Sequence, residues 1–212
     1  MELISLLQSS PSLFIGLVSG LGLLVGSFLN VVIYRLPIMM EREWQEQFAE
    51  LNGKEAPNSE PFSLNAPRSR CPNCNHHITA LENVPVISYL MLGGKCSQCK
   101  TGISPRYPLI EAFTGLLSGI IAWQFGFDWA CLGALLLTWS LISLSFIDID
   151  HQLLPDSITL PLLWLGITFN LSAIYTDLHS SVVGALAGYL SLWLVFHAFK
   201  LVTGKEGMGY GD

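Results

Sequence analysis

The sequence predicts an all-α, polytopic membrane protein with about five spanning helices and a small domain inserted between the first two, and three observations predict it. Hydrophobic residues make up 51% of the 212 and charged residues only 12%, too apolar and too poorly charged for a soluble domain. Several runs reach the length a bilayer span requires, about 18 residues or more, with little or no charge. Eight of the ten Lys and Arg residues fall between Arg35 and Arg106, and the other two, Lys200 and Lys205, follow the last apolar run. The net charge is −6 and no basic stripe is present, which speaks against nucleic acid as a partner.

The leading segment carries no Lys or Arg and no small-residue cleavage pattern follows it, so the first apolar run reads as a span rather than a signal peptide. That span covers about residues 13–34. Gly16, Gly20 and Gly22 read as a packing face that lets a neighbouring helix approach, and Gly26 opens the less usual stretch Gly26-Ser27-Phe28-Leu29-Asn30. Asn30, inside the apolar run, needs a hydrogen-bond partner there.

Residues 36–106 form a polar insertion. Met40, Trp44, Phe48 and Leu51 recur at helical spacing among Glu41, Glu43, Glu46 and Glu50, which predicts a short amphipathic helix on the membrane surface or on the next module. Pro57, Pro61 and Pro67 then mark a linker. Cys71-Pro72-Asn73-Cys74 and Cys96-Ser97-Gln98-Cys99 follow, with 21 residues between the pairs. Each pair supplies two thiolates from one turn, and four complete a tetrahedron for zinc with no position left for water, a structural site. Two disulfides or idle thiols are the competing reading. His76 and His77 read as solvated, and Cys131 as a small apolar residue.

Further spans are expected at about 109–125, with Glu111 near its start, and at about 129–147, 158–174 and 182–199. The third ends in Asp148-Ile149-Asp150-His151-Gln152-Leu153-Leu154-Pro155-Asp156, three carboxylates directly behind apolar helix. An acid at the membrane boundary is a functional-site hypothesis by default. Asp156 reads equally as a helix N-cap or a substrate contact. The chain closes on Gly209-Tyr210-Gly211-Asp212, a second acid behind a glycine turn. Placing the cysteine module in the cytoplasm satisfies the positive-inside rule at every turn and leaves the N-terminus periplasmic. A reducing cytosol favours metal over disulfide. Asp148 and Asp212 each follow a span running outside to inside, so both arrive at the cytoplasmic face. The organisation expected is a first helix at 1–35, the zinc-bearing insertion at 36–106 and a membrane core at 107–212.

Two facing carboxylates share one proton: the ionised one can take a proton from water while the neutral one polarises a peptide carbonyl. The residues alone also leave open a divalent-metal site over phosphates, a proton relay in an ion-coupled transporter, or a non-catalytic assembly scaffold.

Gly26-Ser27-Phe28-Leu29-Asn30-Val31-Val32, the four cysteines, Arg106-Tyr107-Pro108-Leu109-Ile110-Glu111, the Asp148–Asp156 stretch and Gly209-Tyr210-Gly211-Asp212 occur in one order from about residue 20 to the end. Together they resemble the type IV prepilin peptidases, bacterial inner-membrane aspartic proteases of the GxGD class. The resemblance implies removal of the basic leader of prepilins, or of type II secretion pseudopilins, after a glycine at the cytoplasmic face. It implies methylation of the new N-terminal amine from S-adenosylmethionine. It implies Asp148 and Asp212 as the catalytic pair, with Asp150, Asp156, Glu111, Gly209 and Gly211 supporting substrate or motif. Gly94 and Lys95 are placed, with the Gly26–Asn30 segment, at methyl transfer. Prepilin, pseudopilin and membrane lipid are the partners expected, and nothing fixes an oligomeric state. Members of that family continue past the GxGD motif, so a chain stopping at Asp212 is expected to be poorly active by itself.

Overall fold

The computed structural model describes residues 2–54 and 61–204. Seven helices account for most of them, and no strand occurs among the described residues. Helix α1 (Glu2–Ser9) abuts α2 (Pro11–Leu51), whose Pro11 sits at the first helical position, where its missing N–H is no loss. Among the described residues between α2 and α4 there is one short helix, α3 (Ile87–Met91), and α4 (Arg106–Phe125), α5 (Trp129–His151), α6 (Asp156–Leu171) and α7 (Leu178–Thr203) follow. Four helices, α2, α4, α5 and α7, are long and apolar enough to cross a membrane. The fourth expected span is α6, whose 16 residues measure about 24 Å, short of a hydrocarbon core of about 30 Å.

Helix α2 differs most from expectation. The amphipathic helix read at 40–51 is not separate: α2 runs 41 residues, continuous through Pro37. At about 60 Å it is twice the thickness of a bilayer core, so its second half projects beyond the span. Pro37 withholds one N–H from the ladder, yet it is buried against neighbours that support the turn. Trp44, Phe48 and Leu51 are exposed.

The core is the packing of α2, α4 and α5. At one end Phe14, Val18, Ala122, Cys131 and Leu135 cluster, and at the other Leu29, Ile33, Ile110, Ile142 and Ile147. Cys131 is thus the small core residue its isolation suggested. Small residues bring α2 and α4 close on both sides of the seam. A Cβ at Gly26 would lie 2.8 Å from the Glu111 backbone, and one at Gly115 would lie 2.6 Å from Leu23. Gly22 faces Ser118 and Gly119 faces Ser19, so 22/26 and 115/119 form two reciprocal small-residue pairs at four-residue spacing. Gly16 and Gly20 meet no described atom, so of the first three glycines only Gly22 packs. Inside the seam Trp139 Nε1 donates to Ser118 Oγ at 3.0 Å, and Ser118 Oγ donates to the Thr114 carbonyl at 2.7 Å. Helices α6 and α7 lie outside this core: Asn170 is the one buried residue in α6 and Phe196 the one in α7.

Candidate active site and metal centre

The two cysteine pairs are the same turn built twice. Cys71 N–H donates to the His76 carbonyl and Asn75 N–H to the Cys71 carbonyl, each at 2.9 Å. Cys96 N–H donates to the Thr101 carbonyl at 2.9 Å and Lys100 N–H to the Cys96 carbonyl at 3.1 Å. In both turns the residue after the second cysteine takes a left-handed conformation, Asn75 at φ 57° and Lys100 at φ 61°, which reverses the chain. A single antiparallel bridge closes each turn, Arg70 with His77 and Lys95 with Gly102.

The four sulfurs converge within 4.8 Å of one another, with Cys71 Sγ to Cys99 Sγ at 3.7 Å and Cys74 Sγ to Cys96 Sγ at 3.9 Å. A zinc tetrahedron with arms of about 2.3 Å has edges of about 3.8 Å, so this donor set fits zinc directly. The thiols show why a cation suits them. The Thr101 hydroxyl, the Thr101 N–H and the Asn73 side chain hold Cys99 down to about 5. Cys74 is pushed up to about 11: the His76 N–H lowers it, but desolvation and the three neighbouring sulfurs outweigh that. Four thiolates so close would repel one another, and a dication among them would remove that repulsion. His76 points elsewhere, its Nε2 at 3.2 Å from the Glu82 carboxylate, and His77 is exposed, so neither ligates.

The module is tied to the membrane core by the first turns of α4. Asn30 Nδ2 donates to the Tyr107 carbonyl at 3.1 Å, which supplies the partner its position in the apolar run demanded. Glu111, buried against α2, accepts the Val86 N–H at 2.7 Å. Arg35, buried, donates to the carbonyls of Ser63 at 2.8 Å and Pro67 at 2.6 Å, which anchors the start of the module to α2.

The carboxylates of the Asp148–Asp156 stretch part company. Asp148 lies in the last turn of α5, exposed, and its carboxylate makes no hydrogen bond or ion pair with a described residue. Asp150 is held by Arg106 in a fork, Nη1 to Oδ1 at 2.9 Å and Nη2 to Oδ2 at 2.5 Å, with the guanidinium also 5.2 Å from the Phe146 ring. Gln152, left-handed at φ 53°, ends α5, and its N–H donates to the Asp148 carbonyl at 2.8 Å. Asp156 is the first residue of α6 rather than its cap, a place where a negative charge suits the helix dipole, and Pro155 takes the cap position. Gly94, at φ 68°, packs so that a Cβ would strike the Tyr89 ring, and Lys95 beside it is exposed. Gly209, Gly211 and Asp212 lie outside the described residues. Arg106 is the residue whose part the sequence reading left unassigned. The available signal was a lone cation at the start of one span facing an acid cluster at the end of another.

Residues 21–125 match the family described as "Bacterial Peptidase A24 N-terminal domain", and residues 135–212 match the "Type IV leader peptidase family". A protein of Stutzerimonas stutzeri called prepilin leader peptidase/N-methyltransferase is 57% identical across 99% of this chain and 73% of its own length. This chain belongs to the type IV leader peptidase family. A Pseudomonas aeruginosa protein of the same name is 55% identical across 100% of the chain and 73% of its own length. One from Neisseria gonorrhoeae is 56% identical across 91% of the chain and 68% of its own length. No solved structure matches. Membership of the leader peptidase family makes the chain an enzyme of the peptidase/N-methyltransferase kind, and its apolar helices make it a membrane protein.

Proposed function

We propose that this leader peptidase removes the basic leader of type IV prepilins, or of type II secretion pseudopilins, after a glycine at the cytoplasmic face of the bacterial inner membrane. In this reading it then methylates the new N-terminal amine. Asp148 and Asp212 form the catalytic pair. The observation that carries the assignment within the Asp148–Asp156 stretch is the contrast between its first two acids. Asp150 is fully engaged by Arg106, whereas Asp148, half a turn away, has a carboxylate with no described partner. Only an acid without a fixed cation can share a proton with a second carboxylate and exchange it during a cycle.

The ionised member of the pair takes a proton from water as the oxygen attacks the scissile carbonyl carbon, and the neutral member protonates the carbonyl oxygen. The resulting diol collapses as its hydroxyl proton returns to a carboxylate. The amide C–N bond breaks, the nitrogen leaves protonated, and the pair ends with the one proton it began with. Glycines at 209 and 211 keep side chains away from the substrate strand. Asp156 and Glu111 support the site from the α6 start and from α4.

Zinc held by Cys71, Cys74, Cys96 and Cys99 keeps the module folded and takes no part in hydrolysis. S-adenosylmethionine supplies the methyl group, and Gly94 and Lys95 lie at that step, supported by the tight left-handed turn at Gly94 beside an exposed amine. The test is mass spectrometry of a prepilin incubated with the reconstituted protein, expressed from the whole gene, and S-adenosylmethionine. Loss of the leader followed by gain of one methyl group is expected. An intact prepilin, with zinc present and the protein folded, would refute the reading.

A further inference from the structure

The zinc module carries its one helix the wrong way round for a water-soluble domain. In α3 the residues at i, i+3 and i+4, Ile87, Leu90 and Met91, share one face, and they are 55%, 71% and 82% exposed. Leu81, in the turn before it, is 82% exposed. The inward side holds Tyr89, whose ring packs on Gly94 and whose hydroxyl donates to the Ile103 carbonyl. No residue of α3 is buried.

The position of this face in the molecule says what covers it. The residue just before α3, Val86, donates its N–H to Glu111, the sixth residue of α4. Glu111 lies about 8 Å along the axis from Arg106, on the hydrocarbon side of the Arg106–Asp150 pair. Val86 is β-branched and held at φ 60°, a conformation such a residue avoids unless its surroundings impose it. The Glu111 carboxylate therefore holds the start of α3 at the level of the first turns of a membrane-spanning helix. Exposed Tyr107 and Leu109 stand at that same level on α4. Lys95 and Lys100, both exposed, follow the outward face, and Glu82, the one acid between residues 61 and 110, is turned inward to Ser97 and Thr79.

We propose that Leu81, Ile87, Leu90 and Met91 insert into the lipid of the leaflet that α4 enters, at the headgroup–acyl boundary, with the nearby lysines among anionic headgroups. The occupant is the lipid surface, not a second protein. A short apolar face level with spanning helices, flanked by cations, is the pattern of an interfacial anchor. The zinc module then rides on the bilayer at fixed height, joined to it by α3 below, by Arg35 at its start and by Glu111 at Val86, between the cysteine pairs.

The test places benzoylphenylalanine at Leu90 and at Met91, in separate variants, in the whole protein in vesicles of phosphatidylethanolamine and phosphatidylglycerol. Zinc content is the check of folding. Leu116, on the outer face of α4, and Gln47, beyond the span on α2, serve as lipid-facing and water-facing positions. Lipid adducts at 90 and 91 comparable with those at 116 are expected. Yields no higher than at 47, or adducts between two copies of the protein in place of lipid, would overturn the proposal. Hydroxyl-radical labelling of the unsubstituted protein gives a second reading. Met91 is expected to be protected in vesicles, and labelling as fast as Phe48, after correction for intrinsic reactivity, would also overturn it.

Discussion

At the scale of single residues, Arg106 binds the second acid of the Asp148-x-Asp150 motif, while the carboxylate of the first has no described partner. The pair it forms with Asp150 is partly exposed, with side chains 41% and 27% accessible, so it contributes little to stability, about 0–1 kcal/mol. Its effect is on position, because it fixes the helix end that carries Asp148. Arg106→Ala is expected to leave the melting temperature nearly unchanged yet lower turnover by as much as about 10²-fold, the penalty of a small misplacement. Parallel measurement of kcat and thermal unfolding checks this, and unchanged turnover would contradict it. Glu82 offers a prediction outside the membrane. Hydrogen bonds from Ser97 first, then Thr79 and His76, hold its carboxyl at about 2, below the ordinary 4.5. A depressed folded-state value means stability that is complete above about 4.5 and lost as the pH falls toward about 2. A side-chain carboxyl NMR titration of Glu82 should place its midpoint near 2, and a midpoint near 4.5 would show that the network is not formed.

At the scale of elements, the α2–α4 seam and the paired cysteine turns carry the structure. Gly26 lies against the Glu111 backbone, which cannot retreat without moving α4, so Gly26→Leu is expected to cost about 1–3 kcal/mol. A lowered unfolding midpoint in detergent would register it, whereas Gly16→Leu, facing no described atom, should be nearly neutral. Removing one ligand by Cys71→Ser is expected to abolish stoichiometric zinc and to loosen the module, since binding free energy in such sites is folding free energy. Metal analysis and proteolysis of the insertion read both effects. A variant that keeps one zinc per chain would show that Cys71 is not a ligand.

These elements also show where sequence was a sufficient guide. The cysteine spacing located the metal site because two short turns fix the sulfurs locally, and the apolar runs located four of the five expected spans because bilayer thickness imposes their length, α6 being too short. Asn30 was correctly read as needing a partner, but Tyr107, 77 residues away, could be found only in three dimensions. The continuity of α2 through Pro37 was hidden because a proline reads as a stop, and only the packing around it shows that the missing bond is tolerated. The inward and outward faces of α3 were equally hidden, since five residues are too few for periodicity to speak.

At the scale of the whole molecule, α4 acts as the keystone. Within six residues it receives Asn30 from α2, Asp150 from α5 and Val86 from the metal module. These contacts keep the cysteine module and the acid of α5 at one end of the bundle. The claim on which this reading turns is that one acid from α5 and one from the end of the chain act as a pair. Leader cleavage by the wild type, Asp148→Asn, Asp212→Asn and Asp150→Asn, all expressed from the whole gene at equal levels with zinc bound, tests it most directly. The account predicts that either of the first two substitutions alone lowers cleavage by about 10²–10⁴-fold or more, with Asp150→Asn retaining measurable cleavage. Cleavage persisting at wild-type rate in Asp148→Asn or in Asp212→Asn would contradict it.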